Sequence, residues 1–340
     1  MTVEGDGPDE DVTLRSLVES SRRSTREGSA VYKVPSQEGK IAVVTGANSG
    51  TGKESTRRLA GAGTTVVMAV RSRERGDAVR DELLAQQPDA QLEVRVLDLA
   101  DLSSVKSFAE TLVGERRPLH LLVNNAGVMA PPTRFETVDG YELQFGTNFL
   151  GPFALTLRLL PLLLATDESR VTTMSSSVAG IGRIRFNDPQ RRRHYSPYPA
   201  YAQSKLADLL FALELASIAN RRNWNLMSNA AHPGFTRTNL MSAGASLGRD
   251  KPRRKWMGEA KFMPSQGVEQ GAEPLLYAAA SPEAVSGVYY GPSRYFGLVG
   301  PTTIARVPRS ARNPDLGERL WTLAEQLTGV QLPEDVTKNC

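Results

Sequence analysis

The chain has 340 residues, 40% of them hydrophobic and 23% charged, enough to bury a full core as one large α/β domain or two smaller ones. Its net charge of +4 gathers in short stretches such as Arg191-Arg192-Arg193 and Arg253-Arg254-Lys255, which read as solvated loops. No aromatic or glycine-rich recognition module accompanies them, which argues against a nucleic-acid partner. Cys340 is the only cysteine, and His120, His194 and His232 show no ligand spacing, so neither a disulfide framework nor a metal site is expected. No apolar run approaches the ~18–20 residues of a membrane helix. Residues 1–30 lack the apolar centre of a signal peptide, and a soluble, reducing compartment, the cytoplasm, is the simplest reading.

Residues 1–38 are rich in Asp, Glu, Ser, Arg and Gly and read as a polar, flexible arm with no visible chemistry. From residue 39 the pattern changes. Short apolar runs at 41–44, 65–70, 92–97, 119–123, 170–174, 225–230 and 287–290 are β-branched or leucine-rich, as expected of strands covered on both faces. Helix-length segments separate them at 51–62, 74–86, 103–114, 137–164, 199–221 and 266–280. This alternation implies a single Rossmann-type domain over 39–330, a doubly wound parallel sheet flanked by helices. Residues 236–266 break the rhythm with Gly, Ser, Pro, basic residues and scattered large apolars. They follow a strand end, where open α/β sheets place their crevice, and are expected to form a C-terminal substrate lid. Residues 331–340 read as a tail.

Two signals carry chemistry. Thr45-Gly-Ala-Asn-Ser-Gly-Thr-Gly52 joins the first strand to the first helix. Gly46 permits the tight turn, while Gly50 and Gly52 let backbone approach a pyrophosphate. Far downstream, Tyr201 and Lys205 lie four residues apart, one turn along one helical face. A free phenol has a pKa of about 10, and a neighbouring ammonium stabilises its ionised form.

Together these motifs resemble the short-chain dehydrogenase/reductase family, and the likeness runs from about residue 39 to 330. The resemblance implies a nicotinamide cofactor whose cradle includes Gly46, Asn48, Ser49, Gly50, Thr51 and Gly52. It puts Asp98 and Leu99 at the adenine, and Asn125, Ala126 and Gly127 beside the ribose. Pro233 and Gly234 would turn below the nicotinamide, with Thr236 or Thr238 available to its carboxamide. Asn148 matches the active-site Asn of the family, where it would hold a water linking Lys205 to solvent. Physical reasoning selects the cofactor: the second strand ends near the adenosine ribose, where a carboxylate would bind the 2′-hydroxyl. Arg71 stands there instead, 19 residues past Gly52, and a guanidinium suits a 2′-phosphate. NADP(H) is therefore favoured over NAD(H).

Three serines are consecutive, Ser175, Ser176 and Ser177. The stretch with Gly182, Ile184, Phe186 and Asp188 resembles the retinol-dehydrogenase-like branch, whose register selects Ser176, 25 residues before Tyr201. A shorter Val-Ala-Gly match selects Ser177. The resemblance implies interconversion of a ketone or aldehyde and an alcohol. In it, Ser176 orients the carbonyl, Tyr201 handles the proton, and Lys205 tunes Tyr201 and binds the ribose. The apolar residues of the insert suggest a lipophilic or bulky small-molecule substrate, and they suit packing of the lid equally well. The family also implies a homodimer or homotetramer through the helices at 137–164 and 199–221, whose faces would equally suit an internal core. Reduction of an activated carbon–carbon double bond and non-catalytic NADP(H) sensing are the competing readings.

Overall fold

The valine- and leucine-rich runs become strands because helices cover both of their faces, leaving no solvent side that polar residues would need to occupy. The protein is described from a computed structural model covering residues 31–238, 240, 244, 246–248 and 264–333. The arm up to residue 30, most of the expected lid and the tail from residue 334 lie outside the described residues.

Eight strands form one sheet in the order β3-β2-β1-β4-β5-β6-β7-β8. They are β1 (Ile41–Thr45), β2 (Thr65–Val70), β3 (Leu92–Val96), β4 (Leu121–Asn124), β5 (Ser169–Met174), β6 (Leu226–Ala231), β7 (Tyr289–Arg294) and β8 (Val299–Ile304). All neighbours pair parallel except β7 and β8. The order reverses between β1 and β4, which opens a crevice at the carboxyl ends of the strands.

The helices are α1 (Gly50–Ala60), α2 (Arg73–Gln86), α3 (Leu102–Glu115), α4 (Gly151–Leu164), α5 (Pro197–Arg221), α6 (Val268–Ala280) and α7 (Pro314–Thr328). On one face α3, α4, α5 and α7 bury a core containing Phe149, Phe153, Phe211 and Trp321. On the other, α1 and α6 bury Leu59, Leu275 and Leu276 against Met68, Leu121 and Val123. Residues 31–38 are strapped to that second face, with Tyr32 N–H donating to Glu273 and Gln37 N–H to Ala62 O.

Four expectations need correction. The single helix over 137–164 is instead a turn at Thr137–Gly140, a π-helical stretch Phe145–Leu150, and then α4. That combined stretch, Phe145–Leu164, is 20 residues long and apolar enough to cross a membrane by length and composition, but most of it is buried inside the fold. Arg191 is not solvated: it is 3% exposed, with Nη2 donating to Pro199 O and Gln203 Oε1. Finally, β8 and α7 lie beyond the last expected element. The Gly and Pro in β8 hide a strand. For α7 a signal was present: Asn313 accepts from Asp315 N–H, Pro314 occupies the first turn, and Gly329 ends the helix at φ +66.

The last helix packs on both helices of the expected subunit-pairing face. Trp321 lies 5.0 Å from the ring of Phe153 on α4 and 5.9 Å from Phe211 on α5. Within the chain, α7 thus occupies apolar surface on both helices.

Candidate active site

The crevice between β1 and β4 is lined first by the glycine loop. Gly46 and Gly50 have φ of +66 and +50, a region costly for residues with a Cβ. A Cβ on Gly52 would sit 2.3 Å from Gly46 O, so the close packing of α1 on the loop requires glycine. The loop is stitched to the turn after β4. Thr45 Oγ1 accepts from the Asn125 and Ala126 N–H groups at 3.0 Å, Asn125 Nδ2 donates to Thr45 O at 2.9 Å, and Thr51 Oγ1 donates to Asn125 Oδ1 at 2.8 Å. Asn48 is half-buried and Ser49 exposed, and Ser49 heads α1 without a side-chain cap bond. Thr238 lies across Gly50, so the chain that leaves β6 passes over the glycine loop.

Arg71 follows β2 and is exposed, without a side-chain partner among the described residues. Asp98 is half-buried, and its Oδ1 accepts from Ala100 N–H at 2.9 Å, so one oxygen serves its own turn. Leu99 is buried with its carbonyl close against Gly151.

Around the end of β5 the side chains are of another kind. α5 carries Tyr201 and Lys205, 6% and 3% exposed. Ser176 caps a 3-10 turn, Ser177–Ile181, with its hydroxyl beside the Tyr201 phenol, whose ionised form it favours. Ser177 is exposed, whereas Ser175 is buried with Oγ donating to Lys205 O at 2.7 Å. Gly182 lets this turn approach α5, since a Cβ would meet Ala202 O at 2.4 Å. Of the three serines, Ser176 alone is placed against the phenol.

Burial pushes the Tyr201 phenol above its ordinary value, while Lys205 and the Ser176 hydrogen bond pull it down. Lys205 therefore acts with the expected sign, yet the net direction in the protein is upward. Lys205 Nζ donates to Met174 O at 2.9 Å and to Asp208 Oδ2 at 2.7 Å. Burial opposes the Lys205 charge most strongly, but Asp208 and Tyr201 together outweigh it and raise the ammonium.

Asn148 sits inside the π-helical stretch, an irregularity common at functional sites. Its amide is fully engaged: Oδ1 accepts from Val128 N–H at 2.7 Å, and Nδ2 donates to Val128 O and Ser204 Oγ. Gly127 lies between Asn148 and Lys205, where a Cβ would be 3.1 Å from Asn148 Oδ1 and 3.7 Å from Lys205 Nζ.

Beyond β6, Gly234 has φ +61 and no room for a Cβ beside Leu298 O. The Thr236 hydroxyl donates to Pro233 O, whereas Thr238 faces Gly50, so the two threonines differ in what they can reach. Gln266, unnoticed in the sequence, ties both roots of the insert together. It pairs with Thr236, and its Nε2 donates to Pro233 O at 2.9 Å. Gly248, one of the few described residues of the insert, lies against the ring of Phe135. Sequence reading also missed Asp208, Tyr289 and the burial of His232. The Tyr289 hydroxyl donates to Ser176 O at 3.0 Å and its ring lies 5.0 Å from that of His232. For Asp208 a signal existed, since a carboxylate in the apolar run Leu206–Leu210 has to find a buried partner.

With this geometry in hand, the chain can be set beside known proteins. Residues 40–246 match the family described as short chain dehydrogenase. The chain is similar to polyprenol dehydrogenase of Mus musculus, 41% identical over 303 residues and covering 87% of this chain and 86% of that one. It is 37% identical over 295 residues to retinol dehydrogenase 12 of Mus musculus, covering 86% and 87%. Among solved structures it resembles a protein from Mycobacterium paratuberculosis at 39% identity and a TM-score of 0.73, covering 90% and 99%. A short chain dehydrogenase from Shigella flexneri, solved with NADP, shares the fold at 24% identity and a TM-score of 0.56, covering 76% and 97%.

Proposed function

Since the chain belongs to the short-chain dehydrogenase family, in its retinol-dehydrogenase-like branch, we propose that it interconverts a lipophilic alcohol and its ketone or aldehyde with NADP(H). Its class, an oxidoreductase acting on CH–OH donors, follows from that membership. The observation that carries the reading is the meeting of the Ser176 hydroxyl, the Tyr201 phenol and the Lys205 ammonium beside the crevice at the strand ends.

The chain's own residues fit the cofactor. The glycine loop leaves a cradle that Cβ atoms would fill, and α1 points its N-terminus at that cradle. Arg71, unpaired among the described residues, stands where a 2′-phosphate would lie, which favours NADP(H). Lys205 and the Gly127 backbone suit the nicotinamide ribose, and Thr238 suits the carboxamide better than Thr236. When bound, the cofactor supplies or accepts the hydride.

The remaining chemistry falls to side chains. Tyr201 gives its proton to the carbonyl oxygen in reduction and takes one from the hydroxyl in oxidation. Ser176 donates to the same oxygen and polarises the carbonyl. Lys205 supports the charge left on Tyr201 Oη. Asn148, with its amide engaged, works by holding Ser204 and the backbone at 127–128 beside Lys205. The names retinol and polyprenol in the two relatives, and the apolar residues of the insert, support a lipophilic substrate.

The test is a titration with NADPH and NADH followed by nicotinamide fluorescence, then a screen of lipophilic alcohols and ketones with wild type and Tyr201→Phe. Expected is NADPH binding in both proteins, with turnover falling by about 10²–10⁴-fold in the variant. Turnover unchanged in Tyr201→Phe would sink the assignment of Tyr201, and absence of nicotinamide binding would sink the whole reading.

A further inference from the structure

One buried charge takes no part in the proposal above. Asp208 lies three residues beyond Lys205 on α5, on the same face, and its Oδ2 is 2.7 Å from Lys205 Nζ, with the two side chains 1% and 4% exposed. Its other oxygen, Oδ1, is buried with no hydrogen-bond partner among the described residues. Among the described residues the carboxylate therefore has one partner, the ammonium that lies over the Tyr201 ring. Burial pushes the Asp208 carboxyl up to about 6, against the pull of Lys205.

The other groups facing this pair come from three further places in the fold. Tyr289 on β7 senses both Tyr201 and Asp208, and burial keeps its phenol un-ionised. His232, after β6, packs on Tyr289 and is held uncharged at neutral pH by burial. Ser176 contributes a neutral hydroxyl. Among the described residues the field at the Tyr201 phenol is thus set by one cation and one anion, whose opposite charges largely cancel at a distance.

We propose that Asp208 is a positioning residue that clamps the Lys205 ammonium and offsets its charge, so that Tyr201 keeps its proton near neutral pH. This rests on the roles assigned to Tyr201 and Lys205. A protonated Tyr201 is the form that donates to a carbonyl oxygen, so the resting enzyme stands ready for reduction. Oxidation of an alcohol requires the phenolate and gains from a rise in pH.

Asp208→Asn keeps the shape and an oxygen acceptor for Lys205 while removing the charge. The phenolate of Tyr201 is read by ultraviolet titration, as the difference between each protein and its Tyr201→Phe counterpart. The expected result is ionisation about one pH unit lower in Asp208→Asn, that is, ~10-fold more phenolate at a given pH. The rising limb of the oxidative kcat moves down with it, and the high-pH plateau stays within about 3-fold. A folded variant whose Tyr201 titrates at the wild-type pH overturns the proposal. Should Asp208→Asn not fold, Asp208→Ser is read in the same way. The titration needs no substrate, so a shifted phenolate without turnover would uphold the charge relation and instead strike down the catalytic reading.

Discussion

Where β5, α5 and β7 meet, Tyr201, Lys205 and Asp208 are 6%, 3% and 1% exposed, and each charge has a named neighbour. Where β1, α1 and β2 meet, the shape is made by glycines, and the cation assigned to the cofactor, Arg71, stands exposed. The first region works through burial, which makes each charge strong and each unpaired group costly. The second works through the absence of side chains, leaving room for a large anion and screening the charge that greets it. Substitutions in the two regions should therefore fail in different ways.

The largest effect after loss of the Tyr201 hydroxyl is expected at Gly52. A Cβ there meets backbone, Gly46 O at 2.3 Å, so Gly52→Ala has to move the loop. NADPH affinity should fall by about 100-fold, with ~3 kcal/mol lost in urea unfolding. Gly114→Ala is the control, since nothing lies within 4 Å of a Cβ there, and it should be neutral or stabilising. Equal effects at the two positions would break the account of the cradle.

The buried region should betray itself through pH. His232 is 4% exposed and is pushed down to about 4 by burial, from 6.5 when free. The unfolded chain thus takes up the proton first, and the stability present above the unfolded value is lost as pH falls through 6.5 toward 4. Linkage puts this loss at ~2 kcal/mol between about pH 7 and pH 5. Asp208 acts in the opposite sense, because its folded value lies above its free one, so it favours the fold as pH drops. His232→Asn leaves Asp208 in place, and its urea midpoints should show a weaker fall toward acid than the wild type. A slope the same in both proteins would remove His232 from the account.

Arg71→Ala is expected to have the smallest effect and the clearest salt signature. Binding of NADPH should weaken by ~10-fold at low ionic strength and by less in high salt, with NADH unaffected. Equal loss of both cofactors would show that Arg71 supports the loop and does not read the 2′-phosphate.

Much of this was legible along the chain. The strand runs announced themselves because parallel strands covered on both faces have to be apolar throughout, and the glycine loop because no other residue fits its turns. The Tyr201–Lys205 pairing was legible because helical geometry puts residues four apart on one face. Other features were not. The extra residue of the π-helical stretch at Asn148 has no local signature. β8 carries Gly300 and Pro301 and exists because β7 offers it an edge. Arg191 looked like surface charge until Gln203 and Pro199 O enclosed it.

Local pattern thus determined most of the elements, the crevice and the residue types at its rim, since these follow from periodicity and from what a single turn can accommodate. Tertiary structure decided which of three adjacent serines meets the phenol, which threonine is spent on its own turn, and that α7 covers the aromatic faces of α4 and α5. It also decided the sign of the Tyr201 shift. That sign depends on how much water is removed and on where Asp208 comes to rest, and both are properties of the packed molecule.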